Sequence, residues 1–280
     1  GSTLKTNVSV KRVLHAEGNA YGVECEDGSI YKSKIVISAI NPKTLFCDLL
    51  DDHAVGAEMR EDIGLLPMRG SAFKMALALD RLPNYANLPD DLTQSQASTC
   101  QVRIADSLDY IEKATVEAMA GRPATNPIIW GLIPSVVSPQ LTPKGRHIMS
   151  LNIWHAPYKL EKGHWSTEKD RFAKRCIDTL ARFMPDLTEC ITDVRSFSPV
   201  DCEAELGIIG SNITHGEMLP HTLFGPRPHL LANDYRTPLK GLYITGGGVW
   251  PGGFVTGVPG RNTSQTVLGD LKGNGDRVIQ

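Results

Sequence analysis

The stretch Leu242–Asn262, LYITGGGVWPGGFVTGVPGRN, decides the reading of this chain. Leu242, Tyr243, Ile244 and Thr245 have the composition of a buried strand. Six glycines follow before Gly260, and Arg261 to Leu268 reads as a helix. Strand, glycine loop, helix is an order that cradles anions. Glycine lets the backbone approach a ligand with no Cβ in the way, and the free N–H groups of the following helix terminus point at negative charge. The stretch therefore suits a phosphate-bearing cofactor. It contains no G-x-x-x-x-G-K-[ST] and no clean G-x-G-x-x-G within a βαβ unit, so it is neither a P-loop nor an ordinary dinucleotide fingerprint. From the residues alone, a tight structural corner is an equally good reading.

Upstream, Thr6 to Val13 alternates toward a strand, Ala20 to Glu26 makes a second, and Asp27-Gly28 turns the chain before Ser29 to Lys32, giving an antiparallel meander. Lys34 to Ile40 reads as a continuous apolar strand of a parallel sheet, ended by Asn41-Pro42. Thr44 to Leu50 reads as a short helix. From about Pro67 the character changes. Phe73, Met75, Leu77 and Leu79 alternate along a half-buried strand. The segment 90–121 is helical in parts, with Leu108, Ile111, Val116 and Met119 near helical spacing. Pro127 to Ile133 and Arg146 to Trp154 are two further strands. Asn152, Trp154 and His155 are candidates to line a pocket, although an aromatic residue ending a strand favours core. Thr167 to Met184 is a helix with Thr167 and Asp170 as a capping box, an apolar stripe of Phe172, Cys176, Leu180, Phe183 and Met184, and Pro185 as its stop.

At 280 residues, 41% hydrophobic and 21% charged, the chain is long enough for one large or two ordinary globular domains. Its formal charge of −2 and lack of a basic stripe argue against nucleic acid as a partner. No apolar run is long enough to span a bilayer, and no secretory leader is read. The six cysteines, Cys25, Cys47, Cys100, Cys176, Cys190 and Cys202, are scattered without a C-x-x-C, which reads as reduced thiols in the cytosol. His215, His221 and His229 lack metal-ligand spacing, so no metal is expected. Nor does a G-x-S-x-G, an H-E-x-x-H or a paired-carboxylate arrangement appear.

Two stretches carry a family resemblance. Gly241 to Gly248 followed by Pro251-Gly252-Gly253-Phe254-Val255-Thr256-Gly257-Val258-Pro259-Gly260-Arg261-Asn262 resembles the carboxy-terminal flavin motif of the phytoene desaturase-like FAD-dependent oxidoreductases, and within them the branch of pyridine nucleotide-disulfide oxidoreductase domain-containing protein 2. Trp250 stands where that motif has a histidine, and Phe254 where it has a glycine. Gly207 to Gly216, together with Arg227-Pro228 and Tyr235-Arg236-Thr237-Pro238, is similar to the family's G-G-N-I-F-H-G-E, R-P and Y-R-T-P segments.

The resemblance implies an α/β plus α+β architecture: part of a Rossmann-like, glutathione-reductase-type FAD-binding domain (residues 1–66 and 235–280) enclosing an inserted mixed-sheet substrate domain (67–234). It implies FAD as cofactor, with Val10 against the adenine, Gly247, Gly248, Gly252 and Gly253 close to the cofactor, Val255 and Thr256 beside the pyrimidine end, and Gly260 and Arg261 opening the helix that faces it. Arg261 has a structural ion pair as its alternative. Asn212, His215 and Glu217 are the candidates near flavin or substrate. The chemistry implied is hydride transfer from a small apolar substrate to flavin N5. The family's first strand with G-x-G-x-x-G is not among these residues, so the chain is expected to be the carboxy-terminal part of a protein whose nucleotide-binding half, about 200 residues or more, lies upstream, and by itself inactive. The alternative is a non-catalytic binding or scaffold protein derived from that family. The expected location is the cytosol, or mitochondria in a eukaryote. A homo-oligomer and peripheral membrane contact stay open.

Overall fold

The structure, a computed structural model, describes residues 1–273. It divides into two compact units: Gly1–Pro67 with the chain from Ile213 onward, and Met68–Asn212. Residues 213–234, read from sequence as part of the inserted domain, thus belong to the first unit, where the buried Arg227 side chain binds carbonyls of 214–217 and of Gly247.

The first unit opens with an antiparallel meander of β1 (Val10–Ala16), β2 (Asn19–Cys25) and β3 (Ile30–Lys32). Its second turn is the Asp27-Gly28 pair: Gly28 has φ 81°, and the Asp27 carboxylate accepts from the Ser29 amide at 2.9 Å and its hydroxyl at 2.6 Å, the Asx geometry that sets such turns. The first strand begins at Val10 rather than Thr6. The strand expected over 34–40 is shorter, β4 (Val36–Ser38), and its Ile37 is 50% exposed. It pairs in parallel with β10 (Leu242–Ile244), Leu242 opposite Val36 and Ile244 opposite Ser38. Thr44–Asp48 forms a π-helical turn instead of an α-helix. Its Leu45 and Phe46 are buried with Met59, Ile63, Leu242, Ile244 and Val249 in one core.

The second unit is a five-stranded sheet in the order β6 (Val102–Ile104), β7 (Ile128–Leu132), β8 (His147–Trp154), β5 (Phe73–Leu79), β9 (Ile191–Phe197). Every pairing is antiparallel, which corrects the expected mixed sheet. Strict alternation of buried and half-buried residues along β5 is the pattern of a sheet packed on one side, whereas a parallel strand covered on both faces reads as a continuous apolar run. The buried face meets the helix Trp165–Ala181, where Phe73, Trp165 and Phe172 pack with ring centroids 5.1–5.8 Å apart. That helix starts two residues earlier than the capping-box reading placed it, and no side chain caps it. Buried Trp165 ties the first turn to the preceding loop, donating from Nε1 to the Pro157 carbonyl at 2.9 Å. On the helix Leu108–Met119 the apolar residues at helical spacing, Leu108, Ile111, Val116 and Met119, are exposed, and Ala114 alone is buried.

Phe172 is the fully buried centre of this aromatic group. Phe172→Ala is expected to lower unfolding free energy by about 3–5 kcal/mol through lost burial and a residual cavity, read from denaturant titration. A loss under about 1 kcal/mol would show that the helix does not depend on this contact.

Candidate functional site

The decisive stretch forms the predicted succession: β10, an irregular loop over 245–257, and the helix Val258–Leu271. Each part is tied to the next. Thr263 Oγ1 donates to the carbonyls of Pro259 at 2.7 Å and Ile244 at 3.1 Å, fixing the helix to the end of β10. Tyr235 joins loop to helix, its hydroxyl donating to the Trp250 carbonyl at 3.1 Å and accepting from Asn262 Nδ2 at 2.8 Å. At the far end of the helix the Asp270 carboxylate takes a bidentate bond from Arg236 at 2.6 and 2.9 Å and the Tyr243 hydroxyl at 2.8 Å. A cavity of about 630 Å³ adjoins this last cluster, but its one guanidinium is fully engaged by carboxylates, Arg236 also holding Asp234 at 2.8 Å. Most of the buried polar atoms with unmet bonding capacity among the described residues lie elsewhere, at the glycine loop.

The loop has a packed half and an open half. Gly248, Gly252 and Gly253 are buried. A methyl group added at Gly248 would lie 2.5 Å from Pro42 Cδ, and one at Gly253 2.5 Å from Thr214 Cγ2. These glycines therefore admit other parts of the same unit. Phe254, Val255, Thr256, Gly257, Gly260 and Arg261 are exposed. Thr256 Oγ1 accepts from the Val258 amide at 3.2 Å and so starts the helix, while a Cβ at Gly257 or Gly260 would meet nothing within 4 Å. Phe254 has φ 103°, a conformation that favours glycine, and it occupies the motif's glycine position. Val10 begins β1 opposite Cys25, 38% exposed and outside the unit's core.

Arg227, to which the sequence pattern gives no role, organises the surroundings of the loop. It is 3% exposed and has no carboxylate partner among the described residues. Its Nη1 donates to the Glu217 carbonyl at 3.0 Å, and Nη2 to those of Thr214 at 2.7 Å, Gly216 at 3.1 Å and Gly247 at 3.3 Å. Burial pushes its pKa down from the usual arginine value. A methyl at Gly252 would lie 3.6 Å from its Nε. Burial, and next the Arg227 charge, push the His215 imidazole below the ordinary histidine value. His215 and the Glu217 backbone thus share one clasp. Asn212 ends the other unit, where its Nδ2 donates to the Arg69 carbonyl at 2.6 Å.

Six buried side-chain polar atoms lack a hydrogen-bond partner among the described residues, and four of them flank this loop: Asn41 Nδ2, His215 Nδ1, Arg227 Nε and Thr245 Oγ1. Asn41 precedes the proline that packs on Gly248, Thr245 opens the loop, and the other two side chains lie over it. Orphaned buried polar atoms each cost about 1–3 kcal/mol, so four around one loop call for a polar partner, water or ligand, at that place. Two of them, an amide NH2 and a guanidinium N–H, can only donate. Together with an uncompensated positive charge they fit an acceptor-rich, anionic group of the kind a dinucleotide cofactor carries.

No family model matches the chain. It is 33% identical to the mouse protein named pyridine nucleotide-disulfide oxidoreductase domain-containing protein 2, over 97% of this chain and 48% of that protein. It is 25% identical to one of the limonene dehydrogenase subunits of Castellaniella defragrans, over 97% of this chain and 52% of that protein. The chain therefore spans about half the length of the curated relatives it matches. Among solved structures, an oxidoreductase from Methanosarcina mazei shares the fold over 93% of this chain and 49% of its own, with a TM-score of 0.55 at 16% identity. A putrescine oxidase redesigned in its cofactor binding does so over 95% and 48%, with a TM-score of 0.50 at 11% identity.

Two outcomes test the division of the loop. Gly248→Ala forces a methyl against the rigid Pro42 ring and is expected to cost about 1–3 kcal/mol, while Phe254→Gly relieves an unfavourable φ and changes stability by less than about 1 kcal/mol in either direction. Equal effects would remove the distinction. For His215 the sign follows from its lowered pKa: the unfolded chain binds more protons, so stability is full above the ordinary histidine value of about 6.5 and falls as pH drops below it. His215→Gln should flatten that part of a stability–pH curve, and an unchanged slope would discount the buried neutral imidazole.

Proposed function

We propose that this chain is part of an FAD-dependent oxidoreductase of the phytoene desaturase-like group, acting on an apolar substrate, and that the loop over 245–257 with the helix after it holds the flavin. The single observation that carries the reading is the concentration of orphaned buried polar atoms and one unneutralised guanidinium around a glycine-rich strand–loop–helix. The similarity to curated proteins named as oxidoreductases supports it. Because the chain spans about half of those relatives, the activity proposed is that of the whole protein.

When bound, FAD supplies the redox step by accepting hydride from a substrate carbon. The residues of this chain supply binding and electrostatics. Gly247 is proposed for close approach to the cofactor, while Gly248, Gly252 and Gly253, packed against Pro42, Met218 and Thr214, shape the loop that brings it there. Val255, Thr256, Gly260 and Arg261 form the open rim at the helix N-terminus, where backbone amides favour negative charge. Val10 is proposed against the adenine. Arg227 holds a positive potential beside the loop that needs no reorganisation when negative charge develops there. His215, kept neutral, offers an imidazole nitrogen as donor or acceptor, and Asn212 and Glu217 remain candidates beside flavin or substrate.

The test is the visible absorption of the longest natural protein that contains this chain. A flavin spectrum is expected. Arg227→Lys, which keeps the charge but not the fork, should lower FAD affinity by roughly tenfold or more in a titration of the apoprotein. A colourless protein that takes up no added FAD would replace this reading with the non-catalytic scaffold.

A further inference from the structure

The half-buried face of the five-stranded sheet carries side chains that its packing does not explain. In register, one row crosses all five strands: Arg103 opposite Trp130, Trp130 opposite Asn152, Asn152 opposite Lys74, and Lys74 opposite Phe197. Directly paired residues point to the same face, and this is the face away from the core, since the neighbouring row of Ile104, Ile129, Ile153 and Phe73 is buried. Trp154 joins the row from two residues further along β8 and stacks on Trp130, with ring centroids 6.2 Å apart and planes 15° from parallel.

The charges of the row are unbalanced. Lys74 Nζ donates to Asn152 Oδ1 at 3.0 Å and has no carboxylate partner among the described residues. The Arg103 guanidinium lies 5.2 Å from the Trp130 ring centre and donates to the neutral Gln101 at 3.1 Å. The five strands carry one acid, Asp193, opposite Ala78 on the row farthest from the tryptophans, and Glu205, on the helix that follows β9, is taken by Arg195 at 3.7 Å. Trp130 Nε1 is a buried donor with no partner among the described residues. The face thus combines an apolar aromatic pair, two cations without acid partners among the described residues and an orphaned indole N–H within one row.

We propose that this row is a binding platform for an amphipathic carboxylate: the acid on Lys74, where Asn152 holds the ammonium in place, and the apolar body along Trp130 and Trp154. An uncharged hydrocarbon would cover the half-buried Lys74 with only the Asn152 amide as partner, and burying unpaired charge is costly. A small acid without an apolar body would waste the aromatic surface. As the identity of the enzyme's substrate class this rests on the oxidoreductase reading above, whereas the binding itself does not.

The experiment compares decanoate with 1-decanol, the same chain length with and without the charge, each titrated below its aggregation limit against the whole protein with tryptophan fluorescence as readout. Decanoate is expected to bind at least about tenfold more tightly, the worth of one charge-assisted hydrogen bond. Lys74→Met should abolish that preference while leaving decanol binding in place, and Lys74→Arg should retain it. If Lys74→Met fails to fold by circular dichroism, the wild-type difference between the two ligands decides alone. Equal binding of both ligands, binding of neither, or a preference that survives Lys74→Met overturns the proposal. The flavin spectrum of the same samples separates the two readings. Acid preference without flavin sinks the redox assignment alone, and flavin without acid preference sinks the platform alone.

Discussion

A guanidinium buried without a carboxylate is the constraint on which the first unit depends. Desolvating a full charge is expensive unless donors are satisfied, and Arg227 meets the cost with four backbone carbonyls drawn from two separated stretches, 214–217 and Gly247. Those carbonyls have no regular secondary structure to bond with, so each side answers the other's need. The glycine loop therefore has a fixed wall, and the wall has a net positive charge. A carboxylate in the same position would have closed the site electrostatically, as Asp270 does for Arg236 at the other end of the helix. The contrast between these two arginines, one neutralised and one not, separates scaffold from site more sharply than cavity size does.

The fold was legible where the pattern is periodic and local. The alternation over Phe73–Leu79, the Asp27-Gly28 turn and the strand–loop–helix order around Gly246 could all be read, because each is set by side-chain periodicity or by a backbone conformation that few residues adopt. Boundaries failed where a tertiary contact replaced a local signal. The helix expected from Thr167 starts at Trp165, whose buried indole is tied to the Pro157 carbonyl, a tertiary contact that leaves no local signal. Leu108, Ile111 and Met119 keep helical spacing but line an exposed face, since periodicity says which residues share a face and not which face is covered.

The site was legible in outline only. Glycine spacing pointed to the loop but could not separate glycines that admit Pro42 and Thr214 from those open to a ligand, since both uses require the same absent Cβ. Arg227 was invisible as a candidate residue because what marks it is burial and bonds to main-chain carbonyls, neither of which leaves a side-chain pattern in the sequence. Asn41 and Thr245 were hidden for a related reason: what marks them is a hydrogen bond not made.

The same reasoning explains why the row across the sheet of the second unit escapes a linear reading. Arg103, Trp130, Asn152, Lys74 and Phe197 are scattered over more than ninety positions of sequence, and only the strand order β6-β7-β8-β5-β9 brings them into one line. Each residue alone is an ordinary half-exposed strand position, and a tryptophan ending β8 is more economically read as core. Aligned, they place two cations without acid partners among the described residues beside stacked indoles, where the half-buried Lys74 ammonium loses hydration without gaining an acid. Such an arrangement costs stability in the free protein and recovers it when an anion with an apolar body arrives, which is the energetic signature of a binding surface and not of a packing one.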